Sequence, residues 1–85
     1  MTWRIAFRPG ARTELLRLDP PVRERILRAL DRLALDPRTA PNVAALKSAD
    51  QYRLRVGDWR VVYSLHDDVL MVLVIRIGHR REVYR

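Results

Sequence analysis

The 85-residue chain contains no cysteine, which excludes disulfides, thiolate nucleophiles and thiolate metal sites together. Its longest uninterrupted apolar run, Val69–Ile75, falls far short of the roughly 18 residues that a membrane-spanning helix requires. No basic segment followed by an apolar stretch opens the chain, so export is not indicated and a cytoplasmic location is expected. Repeats, low-complexity tracts and linkers are missing as well. At this length a single core is all the chain can build, so residues 1–85 form one domain. Negative charge is scarce: 10 Asp and Glu oppose 17 Lys and Arg, a net charge of +7. With 48% hydrophobic and 32% charged residues the chain has the means to bury a core and reads as neither disordered nor membrane-spanning. The positive excess points to an anionic partner, nucleic acid foremost, with mere solubility as the bland alternative. The placement of the charges decides between them.

Hydrophobic spacing gives the order of elements. Thr2–Phe7 alternates, with Trp3, Ile5 and Phe7 on one side, and reads as a strand closed by Pro9-Gly10. Ala11–Leu18 follows as a short helix. Asp19-Pro20-Pro21 is a stop and then a start, in which Asp19 can cap the next helix and the prolines suit a first turn. That helix, about Pro21–Asp36, carries the clearest period. Val22, Ile26, Ala29, Leu30 and Leu33 make one stripe opposite Arg23, Glu24, Arg28, Asp31 and Arg32. Pro37 disfavours helix at Asp36, and Arg38–Asp50 reads as a loop. Three strands follow: Gln51–Val56, Trp59–His66 and Val69–Ile77, joined by Gly57-Asp58 and Asp67-Asp68 turns, then a basic tail from Gly78. The last strand is apolar on both faces, as a central strand would be. The fold class is therefore α+β: strand-helix-helix, then an antiparallel β meander, with the helices on one face of the sheet.

The Gly57-Asp58 turn sets the register of the first hairpin. Val56 then faces Trp59, Leu54 faces Val61 and Tyr52 faces Tyr63, all on the core side under the helices. On the other side Arg55 lies across from Arg60, and Arg53 across from Val62. Like charges directly opposite weaken a sheet. Three arginines on one face therefore make a poor stability device and a good phosphate cradle, because a guanidinium fork matches phosphate oxygens in pairs. A solvated strand face whose arginines find Asp or Glu elsewhere is the competing explanation. If Asp67-Asp68 forms the second turn, Val62 faces Leu73, Arg60 faces Ile75 and Ser64 faces Met71. Val62, Met71, Leu73 and Ile75 then make an apolar strip on the arginine side, open to a protein partner. The tail leaves the central strand at the Arg60 end, so Arg80 as a charge and Tyr84 as a stacking surface could reach the same anion.

The segments Gln51–Tyr63, read QYRLRVGDWRVVY, and Ile77–Tyr84, read IGHRREVY, resemble the RelE/ParE superfamily of bacterial toxins. Leu46-Lys47 and the order of elements extend the likeness over nearly the whole chain. The resemblance implies the toxin of a type II toxin–antitoxin system, on the RelE branch a ribosome-dependent endoribonuclease that cuts mRNA in the A site and so inhibits translation. There the substrate 2′-OH attacks the adjacent phosphate and leaves a 2′,3′-cyclic phosphate, with neither metal nor cofactor. By position, Arg53 and Arg55 match functional basic residues of the first hairpin strand and Arg60 a phosphate-contacting arginine. Arg80 matches an arginine that stabilises the transition state or leaving group, and Tyr84 a base-stacking tyrosine. Lys47, and with it Arg81, fall at RNA-binding positions.

One departure matters. The two hairpin positions are lysines in the best-known pattern, one of them regarded as general base, and here both are arginine. With a pKa above about 12, arginine does not take a proton at neutral pH, yet it still neutralises phosphorane charge. His79 is the nearby side chain that titrates near neutrality and is the candidate acid or base, a backbone contact being the competing role; His66 reads as structural. The resemblance also implies a cognate antitoxin, acidic and RelB-like, that covers Val62, Met71, Leu73 and Ile75 in a hetero-oligomer, beside ribosome and mRNA as targets. Two other readings stand next to the ribonuclease: a ParE-like inhibitor of DNA gyrase that acts by binding, and a catalytically weak relative.

Overall fold

The computed structural model describes residues 2–48 and 50–83. The elements run β1 (Arg4–Phe7), α1 (Pro9–Leu16), α2 (Pro20–Leu33), β2 (Val43–Ala45), β3 (Gln51–Val56), β4 (Trp59–His66), β5 (Met71–His79) and α3 (Arg80–Val83). Five strands form one mixed sheet in the order β1-β5-β4-β3-β2. β1 returns parallel to β5, with Ile5 beside Val72 and Phe7 beside Val74, so β5 is flanked on both sides as its two apolar faces anticipate.

Side-chain alternation puts Leu54, Val61, Tyr63, Leu65, Val72, Val74 and Ile77 on one face, where Ala11 and Leu15 of α1 and Ile26, Leu30 and Leu33 of α2 close the core. The fold class is the expected α+β, with both longer helices on that face. Tyr63 is the largest fully buried side chain; its hydroxyl donates to the Pro37 carbonyl at 2.6 Å, and its ring stacks on Tyr52 at 5.8 Å. Burial, then the neighbouring Tyr52, pushes this phenol above its ordinary range, so it remains a hydrogen-bond donor.

Several boundaries differ from the sequence reading, each for a local reason. Pro9 does not close β1 but opens α1, at the position where its missing N–H costs nothing. Asp19 does stand at the start of α2, yet its side chain makes no capping bond; the helix begins with the Arg23 N–H on the Asp19 carbonyl at 2.9 Å. α2 stops at Leu33 rather than Asp36, because Leu35 and Asp36 donate three residues back and the Ala34 carbonyl takes the Trp3 N–H. Within the expected loop, Val43–Ala45 pairs with β3 as a short edge strand.

The second hairpin is the main correction. Its turn is not Asp67-Asp68 alone: Asp67–Val69 form one 3₁₀ turn and Leu70 follows at φ 49°. That longer loop sets Ser64 opposite Leu73 and His66 opposite Met71. Farther along, a bulge between the Val62 and Tyr63 pairs leaves Ile75 without an opposite residue, so Val62 faces Arg76 rather than Leu73, and Arg60 faces Gly78 rather than Ile75. β5 also runs on to His79, and the expected tail turns into α3.

The bulge has a support that lies far away in sequence. β1 pairs with β5 only as far as Val74, beyond which no strand among the described residues lies beside that edge of β5. Glu14 of α1 fills the gap: its Oε1 accepts the Ile77 N–H at 2.9 Å, and its Oε2 lies 3.9 Å from Arg76 Nε. We expect Glu14→Ala to cost about 1–2 kcal/mol and to speed hydrogen exchange at the Ile77 amide. Glu14→Gln, which keeps an acceptor oxygen, should restore protection at that amide. Site-resolved exchange by NMR reads both.

Candidate functional site

The β3–β4 turn is a tight two-residue loop, with Gly57 at φ +59° where a side chain would be strained. It holds the register the sequence implies: Arg55 opposite Arg60 and Arg53 opposite Val62, on the face away from the helices. The bulge in β5 then places Gly78, which has no side chain, beside Arg60. Arg60 therefore has room, and it folds back so that Nη1 donates to the carbonyls of Gly57 at 2.8 Å and Trp59 at 3.0 Å. Arg55 turns outward at the sheet edge, its Nη2 donating to Asn42 Oδ1 at 3.1 Å. Asn42 itself sits at φ 68°, a left-handed position that asparagine tolerates.

Arg80 reaches this end of the sheet through the first turn of α3. Its N–H donates to the Asp58 carbonyl at 2.8 Å, and its Nη1 stands 3.8 Å from Asp58 Oδ1. Arg55, Arg60 and Arg80 thus gather around one hairpin turn, with Arg53 two residues along β3. In the sequence Asp58 reads as a turn residue alone; its contact with Arg80 depends on where β5 ends and has no local signature.

Other candidates lie elsewhere. Lys47 is exposed beyond β2, where Leu46 bonds Gln51, so it sits at the opposite end of β3 from Arg55, on the order of 13 Å away along the strand. Arg81 is exposed on α3, its N–H directed to His79 Nδ1 at 3.4 Å. His79 pairs with Trp59, and the two rings meet edge to face at 5.6 Å. Strand alternation therefore turns the imidazole to the Trp59 side of the sheet, not to the Arg60 side. His66 shares a hydrogen bond of 3.1 Å between its Nε2 and Ser64 Oγ. Tyr84 lies outside the described residues. Val62, Met71, Leu73 and Ile75 are all half-buried along β4 and β5. Among the described residues, no group of three or more His, Asp and Glu side chains converges as metal ligands do, and no helix is long and apolar enough to cross a membrane.

At the far end of the sheet charge is used structurally. Arg38 clamps Asp67 with two hydrogen bonds of 2.8 and 2.7 Å, donates to the Tyr52 hydroxyl at 3.2 Å, and stands 5.9 Å over the Trp3 ring. The Arg38 hydrogen bonds hold the Asp67 carboxyl below its ordinary range, and bonds from Thr39 do the same for Asp36. A carboxyl depressed on folding adds stability above its unfolded pKa of about 3.9 and loses it as the pH falls through the folded value. Asp67→Asn should therefore flatten the acid side of the stability curve, with the difference from the parent protein shrinking below about pH 4. Urea unfolding between neutral and acid pH measures it.

With the geometry in view, the chain can be set beside known proteins. Residues 5–84 match the family described as ParE toxin of type II toxin–antitoxin system, parDE. Toxin RelG of Mycobacterium tuberculosis is 26% identical over 86 residues, covering 100% of this chain and 99% of its own. A mutant of Escherichia coli toxin RelE in the free state superposes with a TM-score of 0.82 at 31% identity, covering 99% of this chain and 92% of its own. A chain from the archaeal RelE–RelB complex of Pyrococcus horikoshii does so at 0.82 and 26%, covering 96% and 99%.

Proposed function

Given that the chain belongs to the ParE toxin family of type II toxin–antitoxin systems, within the RelE/ParE superfamily, we propose that it is a ribosome-dependent endoribonuclease that cuts mRNA in the A site. The observation that carries this reading is the turn-centred cluster, in which Arg55 stands directly across from Arg60 and the Arg80 backbone is pinned to Asp58. Such a cluster is unfavourable alone and is relieved by a phosphate.

In this mechanism the substrate 2′-oxygen forms a bond to the adjacent phosphorus while the bond to the 5′-oxygen breaks, leaving a 2′,3′-cyclic phosphate and a 5′-hydroxyl. Arg53, Arg55 and Arg60 neutralise the charge gathered on the non-bridging oxygens, and Arg80 the charge on the leaving oxygen. Fixed charges of this kind supply the largest share of catalysis in phosphoryl chemistry. Arginine holds its proton throughout, so it orients and stabilises without acting as base. His79 is assigned the role of acid or base. Its Nδ1 receives the Arg81 amide N–H at 3.4 Å. Tyr84 is assigned base stacking and Lys47 and Arg81 flanking RNA contacts. Solved RelE–RelB complexes among the structural relatives support a cognate antitoxin. For this +7 chain it is an acidic, RelB-like protein lying on Val62, Met71, Leu73 and Ile75.

A second reading draws on the matching family, whose name is ParE toxin: inhibition of DNA gyrase by binding alone. One experiment separates them. Purified toxin is added to ribosomes programmed with a defined mRNA, followed by primer extension, and in parallel to gyrase with relaxed plasmid. New mRNA ends that need the ribosome, with supercoiling unaffected, are expected. Blocked supercoiling with intact mRNA would reverse the choice.

A further inference from the structure

A second basic feature, built on α2, lies on the helix side of the sheet and meets the cluster at the turn through Arg55. Arg25, Arg28 and Arg32 recur at three- and four-residue intervals along α2, which lays them on one exposed stripe. The stripe forms one wall of an open cleft of about 550 Å³, whose other wall is Asn42, Arg55 and Gly57 at the edge of β3. Arg25 crosses to the hairpin: a Cβ at Gly57 would lie 2.9 Å from its Nη2. The floor is apolar, Leu33 and Leu54 among it, and no aspartate or glutamate stands among the described residues that line the cleft. Arg25, Arg28, Arg32 and Arg55 therefore line one concave surface that holds no carboxylate among its described residues.

We infer that this cleft binds the backbone of single-stranded RNA, extending the substrate track beyond the cluster at the turn. The inference rests on the ribonuclease reading and adds a subsite to it. Three observations select RNA over an acidic peptide. Arg55 belongs to both surfaces, lining the cleft and standing opposite Arg60, so one continuous polyanion can run from cleft to cluster. All four cations are arginines, whose planar forks pair with phosphate and also stack on bases. A peptide in extended form would look for a free strand edge. Here the β3 edge is taken, since Leu54 pairs with Val43 and the Arg55 N–H donates to the Asn42 carbonyl at 2.9 Å.

The test is fluorescence anisotropy of a short labelled single-stranded RNA with the isolated protein, across a range of salt and without ribosomes. The double variant Arg28→Glu with Arg32→Glu should bind about tenfold or more weakly, and its salt slope should fall by about 1.4, the value for two lost single-strand phosphate contacts. Arg28→Gln with Arg32→Gln, which removes charge without reversing it, should show the same loss of slope. Thermal melting confirms that both variants are folded. Unchanged RNA affinity and slope would overturn the inference. So would a loss confined to an acidic, leucine-containing peptide used as a competitor probe, which would make the cleft a peptide site. Arg60→Ala protein keeps the cleft, so RNA binding by that variant without cleavage tells a failure of the subsite from a failure of the ribonuclease reading.

Discussion

Alanine at Arg60 should lower cleavage of ribosome-bound mRNA by about 10²–10³-fold, the usual cost of removing one preorganised charge from a developing oxyanion. Arg80→Ala should fall in the same range. The two are not equivalent in setting. Arg60 is preorganised by its own turn, through Nη1 on the Gly57 and Trp59 carbonyls, so its guanidinium is already placed before substrate arrives. Arg80 is fixed at its backbone by Asp58 and only loosely at its charge, 3.8 Å from the carboxylate. Loss of Arg60 should therefore appear mainly in kcat. Arg60→Lys should recover little, since an ammonium cannot reproduce the planar fork. Arg17→Ala, at the exposed end of α1, is the control for charge alone and should leave cleavage near the parent rate. Cleavage that survives intact in both Arg60→Ala and Arg80→Ala would remove the cluster from the mechanism. Single-turnover primer extension on stalled ribosomes gives the rates.

The parts of this site that were legible in the sequence are those fixed within a few residues. Gly57-Asp58 between two alternating segments set the pairing of Arg55 with Arg60, and the structure keeps it. The stripe from Val22 to Leu33 gave the buried side of α2 in the same way, with Ile26, Leu30 and Leu33 all in the core. The second hairpin was opaque because β5 is apolar on both faces, so a shift of register leaves no trace in its pattern. Leu70 adds to this, adopting a left-handed conformation that sequence rules reserve for glycine or asparagine. β2 has three residues, too few for alternation to be seen, and exists because β3 offers an edge. What each guanidinium does is settled at longer range. Glu14 meets Ile77 across 63 residues, and that contact accompanies the bulge that brings Gly78 to Arg60 and turns His79 toward Trp59. The cleft has no signature in the sequence for a related reason: Arg28 and Arg32 read as part of the polar side of α2, and they line a cleft with Arg25 only once the edge of β3 stands opposite them.

Leu30→Ala should be the most damaging of the single changes to stability, at about 2–5 kcal/mol, because it empties a methyl-rich position in the middle of the core. Leu30 is 1% exposed and packs within the cluster that holds Tyr63, Val61 and Val74. Domains of this size have only about 5–15 kcal/mol in total, so the loss is a large fraction of what keeps the fold together. Leu27 lies three residues before it on the same helix yet is 39% exposed, and Leu27→Ala should change stability by no more than about 0.5 kcal/mol. The contrast tests which face of α2 is inward. It also has a functional consequence, because α2 carries Arg25, Arg28 and Arg32 on its outer side while Leu30 anchors its inner side. Partial loosening of the helix in Leu30→Ala should therefore weaken RNA binding at the cleft before it affects Arg60, whose position depends on the hairpin turn. Urea unfolding followed by circular dichroism gives the stabilities. Anisotropy at a temperature well below the Leu30→Ala midpoint shows whether RNA affinity falls while the kcat of cleavage holds; equal loss of both would mean that helix and hairpin move as one unit.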